Sequence, residues 1–157
     1  MGTAAFLFLA PGVVAGVIPW LLTGWEVDRA LWMPLRLAGG VILAIAVGVL
    51  LNAFARFVVE GIGTPAPVAP TERLVVGGLY RYVRNPMYLA VVGAIVGQAL
   101  LLGLVELLIY AAVIQLIFVA FVHWYEEPTL HRQFGEEYDV YRRAVPAWLP
   151  TRIPYRR

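Results

Sequence analysis

At 157 residues, 61% hydrophobic and only 14% charged, the chain is one domain's worth of sequence and too apolar for an ordinary water-soluble globule. All twelve basic residues are arginine, and against ten acids they leave a net charge of +2, which argues against the dominant basic face of a nucleic-acid-binding protein. The absence of cysteine removes disulfide frameworks, thiolate metal sites, iron–sulfur clusters and thiol nucleophiles, and two histidines alone make no metal cage.

Four long apolar runs separated by short polar breaks predict an all-α integral membrane protein, because a backbone in lipid must satisfy its own hydrogen bonds within each span. The first runs from about Ala4 to Leu22, interrupted by Pro11 and Pro19. It lacks the positively charged start of a secretion signal, so it is expected to be retained. The second runs from about Pro34 to Val58, with Arg36 and Arg56 placed to snorkel to opposite interfaces. A proline-rich stretch from Thr64 to Pro70 then reads as an extended connector. The third span, about Pro86 to Leu102, and the fourth, about Leu104 to Trp124, meet at Gly103 in a tight hairpin with Glu106 at its outer tip. Gln98 and Gln115 read as interhelical hydrogen-bond partners, and Asn52 invites the same assignment.

Beyond the fourth span the composition turns polar. From Pro128, residues Leu130, Phe134, Tyr138, Tyr141 and Val145 recur at helical spacing, with Arg132, Glu136, Asp139 and Arg143 on the other face. This predicts an amphipathic helix over about 128–144, lying against the ends of the spans and stopped by Pro146 and Pro150. The whole chain, 1–157, reads as a single domain. With four spans, Arg56, Arg73, Arg81, Arg84 and the six arginines of the tail share one side, against Arg29 and Arg36 on the other. Basic flanks stay inside, so both termini are expected in the cytoplasm, and the cell (inner) membrane is the expected location.

Polar chemistry gathers in two blocks, Thr71 to Tyr88 and His123 to Pro128, which the hairpin brings out side by side at one interface. Gly77 and Gly78 permit a tight turn, while Arg81 and Arg84 can hold an anion or simply anchor the interface. Asn85 and Pro86 have the form of a helix N-cap followed by proline. The adjacent Glu126 and Glu127 either complement the start of the next helix or accept hydrogen bonds from a ligand, and His123 lies one turn earlier as a candidate proton acceptor.

The run from Gly78 to Tyr88, the apolar hairpin, Glu126 to Leu130, Phe134 to Tyr138, Tyr141 and Val145-Pro146 together resemble the isoprenylcysteine carboxyl methyltransferase and phospholipid methyltransferase family of integral membrane enzymes. The resemblance covers about Glu72 to Pro150. It implies S-adenosyl-L-methionine as cofactor, bound at the cytoplasmic end of the hairpin beneath the C-terminal helix. The family's Arg-His-Pro-x-Tyr element falls on Arg84, Asn85, Pro86, Met87 and Tyr88; the cofactor pocket extends to Glu72, Arg73, Leu74, Val75 and Tyr80; and Glu126 matches a cofactor-binding carboxylate. Asn85 stands where many members have histidine and offers a donor and an acceptor without titrating. Val122 stands where eukaryotic isoprenylcysteine enzymes carry a substrate-associated arginine, which counts against a prenylcysteine carboxylate as acceptor.

The implied reaction is methyl transfer to a lipophilic small molecule or lipid, with Arg81 or Arg84 holding a carboxylate acceptor, or His123, Glu126 or Glu127 taking the proton of an amine. Two alternatives are an NADPH-dependent membrane reductase of related fold and a non-catalytic membrane scaffold. Transport is disfavoured, because no span carries a deep charge of the sort that marks a substrate path.

Overall fold

The computed structural model describes residues 10–27, 32–60 and 73–156, with the backbone alone at 57–60. The expected start of the first span, Arg29, the proline-rich connector, Glu72 and Arg157 lie outside the described residues. Among the described residues the chain is helical, with no strand. We number the helices α1 (Ala10–Thr23), α2 (Met33–Glu60), α3 (Pro86–Leu102), α4 (Val105–Phe134) and α5 (Glu136–Ala144).

Two stretches, Met33–Arg56 in α2 and Val105–Phe134, are long and apolar enough to cross a bilayer, while α1 and α3 are shorter apolar helices. Their outward faces are not covered by protein: Leu37 on α2 is 64% exposed and Leu116 on α4 is 70% exposed. Apolar surface on that scale, repeated along both rods, is stable only against another apolar phase, and lipid provides it.

The helices meet through small residues. A methyl group at Gly39 would lie 2.5 Å from the backbone nitrogen of Leu101, and one at Gly97 would lie 2.7 Å from that of Leu43. The backbones of α2 and α3 are therefore in direct contact, the packing that lets dispersion hold helices together where burial in lipid offers no hydrophobic gain. The α3–α4 hairpin turns on Gly103 in the left-handed conformation (φ 78°), and Val91, Ile95, Ala99, Leu104, Leu107 and Ala111 fill its interior. On α1 a wide π-turn, Val13–Val17, contains the carbonyls that receive Tyr110 (2.8 Å, Val14 O) and Gln98 (2.7 Å, Ala15 O). Gln98 also accepts from the Trp25 indole at 3.1 Å, so this glutamine does join helices, whereas Asn52 is exposed on α2.

Two boundaries differ from expectation. The rod α4 does not end at Trp124 but continues through a π-turn, Val122–Glu126, to Phe134. The wider turn precedes Pro128, whose ring would clash with the carbonyl ladder of an uninterrupted α-helix and whose missing N–H would leave one carbonyl without a donor. The expected single helix over 128–144 is broken at Gly135, whose φ of 53° and ψ of −126° suit glycine and redirect the chain into α5. The tyrosine stripe survives the break: Tyr138, Tyr141 and Val145 form one cluster with Leu74, flanked by Leu130 and Phe134.

Beyond α5 the chain returns along the segment before α3. Arg84 N donates to Pro146 O (3.0 Å), Thr151 N to Tyr82 O (2.8 Å) and Tyr155 N to Arg81 O (2.9 Å), so residues 146–155 form a strap over that segment.

Candidate functional site

The two polar blocks meet at the end of the bundle where α3 begins. Gly78, at φ 58°, opens a short 3-10 turn, Gly78–Arg81, and Asn85 then occupies the N-cap of α3 with Pro86 at its first position. The Asn85 amide does not cap the helix; it is buried and donates to the Ala147 carbonyl of the strap at 3.1 Å.

From this start, Tyr88 donates to Glu126 Oε2 at 2.8 Å, joining residues that the whole hairpin separates in sequence. The Tyr88 ring rests against Phe118 (centroids 4.6 Å apart) and faces Trp148 of the strap (6.5 Å). Beneath it, Tyr80 and Val75 are buried with Ala53, and Met87 packs on them. Burial, then the nearby Glu126 charge, push the Tyr80 phenol well above its ordinary range, so this group is neutral.

Beside this carboxylate lies an ionic clamp. Arg84 Nη1 donates to Glu127 Oε1 at 2.7 Å and to the Tyr138 hydroxyl at 2.9 Å, while Arg142 reaches the other oxygen of Glu127 at 3.1 Å. The Arg84 and Glu127 side chains are only 11% and 10% exposed, so the pair is desolvated and its integrity matters. Arg84 Nε is buried with no hydrogen-bond partner among the described residues.

The sequence candidates thus separate by position. Tyr80, Asn85, Pro86, Met87, Tyr88 and Glu126 are drawn together, and Val75 lines their floor. Leu74 instead packs in the cluster with Tyr138 and Tyr141, and Arg73 is exposed. Arg84 and Glu127 engage one another, and Arg81 Nε donates to the Tyr155 carbonyl at 2.8 Å, holding the strap. His123 is exposed, with its ring beside that of Trp124.

Several contributors were not foreseen from sequence. Tyr138 and Tyr141 read as an apolar stripe and as part of the family pattern, with no role for their hydroxyls, yet those hydroxyls meet Arg84 and the Tyr80 carbonyl (2.7 Å). Arg142 gave no signal beyond charge, and Trp148 none beyond its place between two prolines. A cavity of about 280 Å³ lies at the opposite end of the bundle, between Thr23, Glu26, Leu104 and Glu106, remote from these groups.

Among curated proteins, the chain is 36% identical over 78 residues to the protein-S-isoprenylcysteine O-methyltransferase of Schizosaccharomyces pombe. That alignment covers 49% of this chain and 33% of the yeast protein, so the chain spans about a third of that relative's length. No solved structure matches. The sequence profile for phospholipid methyltransferases matches residues 35–137, which take in α2 from Leu35 onward, the turn before α3, both hairpin helices and the Tyr88–Glu126 pair. With a match across about two thirds of its length, the chain belongs to the phospholipid methyltransferase family.

Proposed function

We propose that this protein crosses the membrane four times with both termini in the cytoplasm, and that it transfers a methyl group from S-adenosyl-L-methionine to a lipophilic acceptor beside Tyr88 and Glu126. The hydrogen bond of 2.8 Å between those two residues carries the reading, because it unites both motif blocks within the family-matched region. The excess of arginine flanking the side where α3 begins supports the orientation.

The residues suit the cofactor. A half-buried carboxylate offers acceptors for hydroxyl and amine hydrogens, and the rings of Tyr88, Phe118 and Trp148 offer faces that attract a cation. The buried, unpaired Arg84 Nε adds a donor for an anionic group. When bound, S-adenosyl-L-methionine would supply an electrophilic methyl group on a sulfonium, open to the lone pair of an acceptor with the thioether as leaving group.

The protein's share is alignment and exclusion of water. Tyr88 fixes the rotamer of Glu126, and buried Tyr80, Val75 and Asn85 close the floor. Glu127 has both oxygens engaged by arginines and serves to hold the backbone beside Glu126 rather than to accept a proton. A greasy acceptor approaches from the bilayer; the isoprenylcysteine named for the yeast relative and the phospholipids named for the family support a lipophilic acceptor.

Calorimetric titration of the detergent-solubilised protein with S-adenosylhomocysteine tests the reading. Glu126→Gln and Tyr88→Phe should each weaken binding about tenfold, the size of a hydrogen bond to a charged group. Glu106→Gln, at the opposite end, should leave it unchanged. Equal losses at all three positions, or no binding heat with the unmodified protein, overturn it.

A further inference from the structure

The strap that closes the chain ends in side chains with no place inside the protein. Leu149 and Ile153 are 77% and 79% exposed, the two highest values for large hydrophobic residues among the described residues. They alternate with prolines at 146, 150 and 154 and are accompanied by exposed Arg152 and Arg156, and from residue 145 to the end there is no acid.

Position tells what covers them. The strap is hydrogen bonded to Arg81, Tyr82, Arg84 and Asn85, the residues that lead directly into α3, so it lies level with the end of an apolar helix. Its backbone also suits a poorly hydrated boundary. Three of its residues are prolines without an N–H, and the N–H groups of Thr151, Ile153 and Tyr155 are already donated, to Tyr82 O, Thr151 Oγ1 and Arg81 O. Apolar side chains flanked only by arginine match a surface of acyl chains beneath negative headgroups.

We propose that the strap is a membrane-surface anchor: Leu149 and Ile153 dip into the headgroup boundary while Arg152 and Arg156 meet anionic lipid phosphates. The inference rests on the membrane reading above. Since Trp148 of the same strap faces Tyr88, lipid contact also keeps the strap seated over the candidate site.

The chain has no cysteine, so single labels can be placed directly. Spin labels at Leu149→Cys and Ile153→Cys would be compared with Leu116→Cys on the apolar face of α4 and Glu136→Cys on exposed α5. The protein is reconstituted in phosphatidylcholine vesicles, either pure or with about one third phosphatidylglycerol, a composition that supplies the negative surface. Relaxation by lipid-soluble oxygen is read against relaxation by a water-soluble nickel chelate.

Labels at 149 and 153 should resemble Leu116 more than Glu136, and more so with phosphatidylglycerol. Arg152→Gln and Arg156→Gln should each reduce that anionic-lipid gain roughly fivefold, the value of one arginine near such a surface. If 149 and 153 behave like Glu136 in both vesicles while Leu116 remains lipid-exposed, the anchor is refuted and the membrane reading stands. Water exposure at Leu116 refutes both. Protection at 149 and 153 that persists in detergent and grows with protein concentration assigns the surface to a second copy and also refutes the anchor.

Discussion

The crossing of α2 and α3 and the clamp at the start of α3 hold one chain by opposite means. At Gly39 and Gly97 there is no side chain at all, and the backbones touch. At Arg84, Glu127 and Arg142 charged groups from three separate elements converge with two of their side chains desolvated. Lipid rewards the first arrangement, since only close packing distinguishes a helix neighbour from an acyl chain. The second is stable only while every partner is present, and it lies where the polar chemistry is needed.

The comparison breaks most sharply at the clamp. Glu127→Ala leaves the Arg84 guanidinium buried without its anion and should cost about 3–5 kcal/mol, read as the unfolding midpoint in detergent. Arg142→Ala, which removes a partner 48% exposed, should cost no more than about 1 kcal/mol and lose its effect in high salt. Comparable losses at both positions would show that the clamp is not graded by burial.

At the crossing, Gly97→Ala forces a methyl group to 2.7 Å from the Leu43 backbone, with no flexible side chain able to yield, and should cost up to about 3 kcal/mol in the same assay. Gly48→Ala meets nothing within 4 Å and should stabilise α2 by about 0.5–1 kcal/mol, because alanine restricts the unfolded chain. A neutral Gly97→Ala would mean that the helices stand further apart than their backbones indicate.

A comparably small effect lies in the tyrosines that bind the clamp to its surroundings. Burial raises the phenols of Tyr138 and Tyr141 above the ordinary value of 10.0, so the folded protein keeps protons that the unfolded chain releases. Their stabilisation is complete below about pH 10 and is lost as pH rises beyond it. Tyr141→Phe should cost about 1 kcal/mol at neutral pH, through the lost bond to the Tyr80 carbonyl, and should flatten the alkaline fall in stability. An unchanged alkaline limb would assign that fall to other groups.

Much of the fold was readable because local chemistry marked it. The third apolar run and α3 share the bounds Pro86 and Leu102, set by proline's fit to a first helical turn and by a following glycine free to adopt positive φ. The juxtaposition of residues 80–88 with 123–128 followed from a short hairpin, since antiparallel helices joined by a tight turn bring residues about equally far from it to the same level. Gly135 went unread because Phe134, Tyr138 and Tyr141 keep a helical spacing across it, so periodicity conceals the break. Glu127 looked available beside Glu126, and nothing local announced that arginines 43 residues before it and, in the next helix, after it would take both its oxygens.

The sequence by itself determined an apolar helical protein with its polar chemistry gathered in two blocks, because hydropathy, proline and glycine act over a few residues and leave their pattern in order. Tertiary structure alone decided which of the neighbouring carboxylates meets Tyr88 and which is locked between arginines. One π-turn and one redirecting glycine set those directions, and each depends on contacts that no short stretch of sequence contains.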